Sequence, residues 1–97
     1  MIPRMRIVVG FLALASAAAA LAAPTLNVGS KRFTESYILG EILAETARSA
    51  GEASVTHRQG LGNTAIVLSA LTTGSIDIYP EYTGTIAKEI LKLDTVP

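Results

Sequence analysis

Between Leu26 and Leu91 the hydrophobic and polar positions run through one pattern three times: a short β-rich run, a turn, then a helical run. Leu26-Asn27-Val28 is a short strand candidate, closed by Gly29 and Ser30. From Thr34 the period lengthens. Ile38, Leu39, Ile42, Leu43, Thr46 and Ala47 recur at the spacing of one helical stripe. Thr34 is the predicted N-cap and Gly51 the glycine just past the C-terminus. Gly40, inside this helix, costs roughly 1 kcal/mol against alanine, and such a glycine predicts close packing on a neighbour. The second unit opens with a weakly alternating run, Ala53 to Arg58, read as a strand. Gly60, Gly62 and Asn63 then make a turn. Asn63 is placed to cap a helix from Thr64 to Thr73, with Ile66, Val67, Ala70 and Leu71 on its apolar face and Gly74 at its end. The third unit is a strand, Ile76 to Tyr79, stopped by Pro80, and a helix from about Thr83 to Leu91.

Strand and helix alternating with short connections predict an α/β fold, β-α-β-α-β-α, with parallel strands. Three parallel strands leave both sheet edges without neighbours, and a domain of this size buries a small core. The expectation is therefore an incomplete domain of marginal stability.

The segment before Leu26 is of a different kind. Arg4 and Arg6 precede "IVVGFLALASAAAALAA", and Ala20-Leu21-Ala22 has the small-residue pattern of a cleavage site. Residues 1–22 are read as a secretory signal peptide, which leaves 23–97 as the mature chain. That remainder carries Lys31, Arg32, Arg48, Arg58, Lys88 and Lys92 against more numerous acids, with no basic patch. The electrostatic footprint of a nucleic-acid binder is missing. The chain has no cysteine. Disulfides, cysteine-bound zinc and a lipid-modified cysteine after the signal are therefore excluded, and a freely diffusing periplasmic protein is expected. The lone His57 makes no metal cluster and has no matched nucleophile or carboxylate at a recognisable spacing, so no enzyme is expected and no cofactor is implied.

Ligands of open parallel sheets bind beyond the carboxyl ends of the strands. The stretches that follow the three predicted strands are "GSKRFTE", "QGLGNT" and "YPEYTGT". Ser30, Thr34 and Lys31 either hold an anionic group at a helix N-terminus or simply cap and solvate it. The glycine turn at Gly60–Thr64 lacks the Lys-Ser/Thr ending of a P-loop and brings backbone close to a small ligand or caps a helix. Tyr79 and Tyr82 stand three residues apart in a chain with three tyrosines and no tryptophan. Either one merely packs against the sheet and the other is exposed, or a tyrosine at the strand end faces the cleft. A ring facing the cleft attracts a cation without a hydrogen bond, which suits a fully methylated ammonium group.

Taken together, "VGSKRFTESYILGEILAE" and "GLGNTAIVLSALTTGSIDIYPEYTGT" resemble the start of the osmoprotectant-binding proteins. These are the glycine betaine/carnitine/choline group of ABC-transporter substrate-binding proteins. The family form reads close to V-G-S-K-x-F-T-E-Q-x-I-L-G, then L-G-G-T, then G-x-I-D-x-Y-P-E-Y-T-G-T. The resemblance implies a fold like the type II periplasmic binding proteins, two lobes closing on the ligand, of which residues 23–97 are part of the first lobe. It implies a small quaternary-ammonium ligand, and a membrane permease and an ATPase as partners. By position, it places Lys31 near a ligand carboxylate, Tyr82 in the cage around the ammonium group, and Thr85 where ligand choice is tuned. Thr64, in the L-G-G-T position, is a weaker ligand candidate. So is Ser36, which stands where many members carry a ligand-contacting glutamine. Asn63 replaces the second glycine of L-G-G-T. The competing readings are a binding protein for an amino acid or other small zwitterion, with Glu81 as the carboxylate facing its ammonium, and a truncated product with no function of its own.

Overall fold

The computed structural model describes residues 23–96; the signal-peptide reading of 1–22 lies outside the described residues. Two strands form a parallel pair, β1 (Thr25–Gly29) and β2 (Ser54–Arg58), in register from Thr25 opposite Ser54 to Gly29 opposite Arg58. Between them runs α1 (Thr34–Ala50), which contacts both strands. This is the expected right-sized crossover unit of a parallel sheet.

The predicted third strand does not form as a strand. It is reduced to a single parallel bridge between Val28 and Ile78, on the other side of β1 from β2. Backbone bonds from Asp77 N to Asn27 O and from Gly29 N to Ile78 O, both 2.8 Å, hold it there. Two local effects stop the ladder. The Asp77 carboxylate itself accepts the Asn27 N–H at 2.7 Å, and Pro80, just beyond, has no N–H to offer. The parallel α/β character stands, with β1 central, but β-α-β-α-β-α overstates the third strand.

The stripe predicted on α1 is rotated from the one the structure buries. Ser36, Gly40 and Ala44 face inward, whereas Ile38 and Ile42 are 56% and 57% exposed. Small residues at i, i+4 and i+8 let the helix axis approach the strands closely, and larger side chains flank that line. The close approach foreseen at Gly40 is present: a Cβ there would meet His57 Nε2 at 2.6 Å and Ser30 Cβ at 3.1 Å. Gly51 closes the helix in the left-handed conformation, φ 70°. Thr34, however, is the first helical residue, and Phe33 takes the extended cap position without a side-chain bond.

The second helix, α2 (Thr64–Thr72), starts as predicted, with Asn63 Oδ1 accepting the Ile66 N–H at 3.1 Å. The final helix is shorter and wider than the periodicity suggests. A single turn, α3 (Thr83–Thr85), passes into a broad turn at Ile86–Ile90 closed by Leu91 N to Ile86 O at 2.8 Å. Val28, Ala44, Val67, Ile76 and Ala87 form the buried apolar core. It is small, and no element contributes more than one residue to it. No helix among the described residues is long and apolar enough to cross a membrane.

Candidate functional site

The backbone pairing of β1 and β2 runs on past the strand ends. Ser30 N reaches Arg58 O, Leu61 N reaches Ser30 O and Arg32 N reaches Gly62 O, each at 3.1 Å. The first two loops are thereby zipped together, and the bridge at Ile78 brings the third alongside. The three polar stretches do lie on one edge, at the carboxyl ends of the strands.

Lys31 is the hub of that edge. Its Nζ donates to Thr64 Oγ1 at 2.8 Å and to Glu81 Oε1 at 2.6 Å. Both side chains of the Lys31–Glu81 pair are only 7% exposed. Glu81 also accepts the Tyr82 N–H at 3.0 Å and the Tyr79 O–H at 3.1 Å. One carboxylate thus satisfies an ammonium, a phenol and a backbone donor from three positions of the edge. Burial and the Glu81 carboxylate together push the Tyr79 phenol up to about 12. Tyr79 is half-buried and belongs to this network, so it is the packing tyrosine of the pair.

Tyr82 is the exposed one. Its ring stacks on Phe33, centroids 6.4 Å apart and planes at 24°, with the two residues 39% and 42% exposed. Its hydroxyl donates to Glu35 Oε1, and that hydrogen bond, with burial and the negative charges of Glu35 and Glu81, raises the phenol above its ordinary range. The sequence reads Glu35 only as part of the solvated side of its helix and does not mark Phe33. Their signal was position: both lie in the stretch after the first strand, on the edge that carries Tyr82.

The other candidates are placed as follows. The Ser36 hydroxyl accepts the Lys31 N–H at 2.8 Å, and the residue is buried. Thr64 is the first residue of α2 and Lys31's second partner. Thr85 is half-buried in α3, one turn after Tyr82. Lys31, Thr64 and Glu81 are therefore brought together, with Tyr82 adjacent through Glu81 and Ser36 beneath the loop. An open cleft of about 640 Å³ lies beside this edge, with Lys31, Arg32, Phe33, Thr64 and Ile66 among its lining residues.

A second polar cluster sits below the edge and corrects the reading of His57. His57 does have a hydroxyl and a carboxylate in reach: Nε2 is 2.8 Å from Ser30 Oγ and Nδ1 is 2.7 Å from Glu41 Oε2. Glu41 in turn accepts from Arg48 at 3.0 Å. The His57 and Arg48 bonds hold the Glu41 carboxyl below its ordinary range. The order serine, histidine, carboxylate resembles a hydrolytic triad, but Ser30 is completely buried. Gly40 closes over the imidazole, so no substrate carbonyl reaches the hydroxyl. The cluster fastens α1 to both strand ends. Among the described residues no group of three His, Cys, Asp or Glu side chains is placed to hold a metal ion.

Comparison with known proteins places this geometry. The substrate binding domain of the ABC-type glycine betaine transport system matches residues 24–95. A stretch of 63 residues is 48% identical to the glycine betaine-binding protein YehZ of Escherichia coli K12, covering 65% of this chain and 20% of that protein. The glycine-betaine-binding protein of Pseudomonas aeruginosa is 43% identical over 63 residues, with the same coverage, 65% and 20%. The match thus spans about one fifth of the length of these relatives.

Proposed function

The chain belongs to the family of substrate binding domains of ABC-type glycine betaine transport systems, and on that premise we propose a function for it. Residues 23–97 form the first part of the first lobe of an extracytoplasmic binding protein. The whole protein captures a quaternary-ammonium solute such as glycine betaine and delivers it to a membrane permease driven by an ATPase. It carries out no catalytic step.

The observation that supports this best is the exposed Phe33–Tyr82 stack at the carboxyl edge of the strands. A methylated ammonium group has no N–H to donate and is bound by ring faces. Each such contact is worth about 0.5–1 kcal/mol when exposed and about 2 kcal/mol or more when desolvated. Closure of a second lobe over this wall would supply that desolvation and the remaining rings. Tyr82 and Thr85 meet the ligand from this lobe; Lys31 ties down the loop from which Tyr82 projects through Glu81, while Thr64 bonds the same ammonium and Ser36 holds the Lys31 backbone.

The arrangement also weighs against an amino-acid ligand. The carboxylate that reading gave to a primary ammonium, Glu81, is already engaged by Lys31, Tyr79 and the Tyr82 N–H, and the Glu35 carboxylate beside it accepts the Tyr82 O–H. The test is a graft. The matched stretch of the E. coli relative is replaced by residues from this chain, and glycine betaine, carnitine, choline and a primary amino acid are titrated calorimetrically. Binding of the methylated ligands and not of the amino acid is expected. A folded graft that binds none of them sinks the proposal. Micromolar binding by the 97-residue chain alone would refute the need for a second lobe.

A further inference from the structure

His57 is the one histidine of the chain. It stands in β2, opposite Val28 of β1, with its side chain 3% exposed. Both ring nitrogens are engaged. Nδ1 lies 2.7 Å from Glu41 Oε2, and Nε2 lies 2.8 Å from Ser30 Oγ. The backbone of α1 covers the ring at Gly40, where a Cβ would stand 2.6 Å from Nε2.

The two partners are not equivalent. An ionised carboxylate only accepts hydrogen bonds. Glu41 is held below its ordinary range by its bonds to His57 and Arg48, so it is ionised near neutral pH and Nδ1 carries the proton. Nε2 of the neutral ring is then an acceptor, and the Ser30 O–H donates to it. Protonation turns Nε2 into a donor. On the α1 side nothing has to move: Nδ1–H still meets Glu41, and Arg48 still bonds Glu41 and Glu45. Arg58, next along β2, points to the opposite face. On the Ser30 side the bond reverses, and the hydroxyl proton loses its acceptor. Among the described residues, His57 is the only hydrogen-bond partner of that hydroxyl. Ser30 is completely buried, so water does not replace it. Lys31, the next residue, has its charge paired with Glu81.

Ser30 is also where the first two loops are fastened. Its N–H donates to Arg58 O and its carbonyl accepts the Leu61 N–H, each at 3.1 Å. It opens the segment that leads into α1, where Ser36 of the first turn holds the Lys31 N–H. We propose that His57 is a positioning residue for this edge and that one proton releases its hold. Neutral His57 locks Ser30 and, with it, the Lys31 loop; the imidazolium frees them. His57 acts through Ser30 and touches no ligand itself. The inference goes beyond the quaternary-ammonium reading and holds for any ligand of this edge.

The experiment uses the full chain, without ligand, between about pH 8 and about pH 5, the window in which histidine changes charge. Ring nitrogen chemical shifts report the tautomer and charge of His57. Amide exchange, corrected for its intrinsic pH dependence, reports the protection of the Leu61 N–H. At the upper end the Nδ1–H tautomer is expected. As the ring takes up its proton, Leu61 protection should fall about tenfold, the effect of one buried donor left unpaired. The Lys31 amide resonance should move with the same midpoint. His57→Gln offers an uncharged acceptor at every pH and should abolish the step. An Nε2–H tautomer at the upper end overturns the proposal, as does Leu61 protection that stays constant while the ring titrates. A step that survives in His57→Gln belongs to another group and overturns it too. Should that variant not fold, the ring and amide midpoints of the unmodified chain decide alone. A chain with no Leu61 protection at the upper end has no lock to release, which also overturns it. The quaternary-ammonium reading stands or falls separately, on the grafted relative.

Discussion

Two buried polar networks lie within one loop of each other and solve different problems. The upper one, Lys31–Glu81 with Thr64 and Tyr79, buries two full and opposite charges, each side chain 7% exposed. The lower one, Ser30–His57–Glu41, buries an imidazole whose side chain is 3% exposed, while its carboxylate stays 46% exposed and shared with Arg48. The lower network keeps its formal charge in contact with water. The upper one takes charge out of water and depends on the partner being present. Removing one member of such a buried pair strands the other, which is costlier than the pair was ever worth. The upper network also carries the loop from which Tyr82 projects, so stability and the candidate site are coupled there. The lower network fixes α1 against the strands and touches the site only through the start of that helix.

The largest test of this contrast is Glu81→Ala. It should destabilise the fold by about 3–5 kcal/mol, read as a lower urea midpoint. The paired change Lys31→Met with Glu81→Leu should recover most of that loss. If the single change cost no more than an exposed pair, under about 1 kcal/mol, the upper network would not be the dry one. Gly40→Ala comes next. Its Cβ would stand 2.6 Å from His57 Nε2, and the forced shift should cost about 1–3 kcal/mol, as overpacking does. Retention of full stability would show that the lower network has slack.

The pH responses are smaller and opposite in sign. Tyr79 has its folded value raised from 10.0 to about 12. A group raised in the folded state stabilises it below the unfolded value, and that contribution is lost between about pH 10 and about pH 12. Tyr79→Phe should therefore flatten the alkaline limb of stability against pH. Glu41 is lowered from 4.5. Its contribution is present above that value and fades as pH falls through the folded one, so Glu41→Gln should flatten the acid limb instead. An acid limb that keeps its slope in Glu41→Gln would place the acid-sensitive charge elsewhere.

What was legible in the sequence was local. The Asn63 cap and the left-handed Gly51 are each decided within a few residues, by one side-chain bond or by φ, whereas Gly40 signalled a close approach without naming its partners, His57 and Ser30. The alternation of strand and helix was legible for the same reason, and the motifs around Lys31 and Tyr82 carried the family. Where local signals competed, the reading slipped. The run Ile76 to Tyr79 has a strand's composition, but the Asp77 side chain takes the donor of Asn27 that a longer ladder would engage. Thr34 has the chemistry of a cap, yet the chain enters the helix one residue earlier, at Phe33.

The tertiary structure decided which residues meet across the chain. Lys31 and Glu81 are 50 positions apart, Tyr82 and Glu35 are 47 apart, and His57 meets Ser30 across 27. No periodicity encodes such pairings, because they follow from the stacking of strand ends along one edge. The same holds for α1. Its sequence showed that a stripe exists, but the depth of packing chose the face. The small residues Ser36, Gly40 and Ala44 went inward because only they admit the strands so closely, and Ile38 and Ile42 were left outside. Local pattern was enough for the alternation of strand and helix, the Asn63 cap, the Gly51 stop and the family, and was not enough for the third strand or the entry to α1. Only the fold decided which charges meet at the edge, and that Phe33 and Tyr82 stand together there.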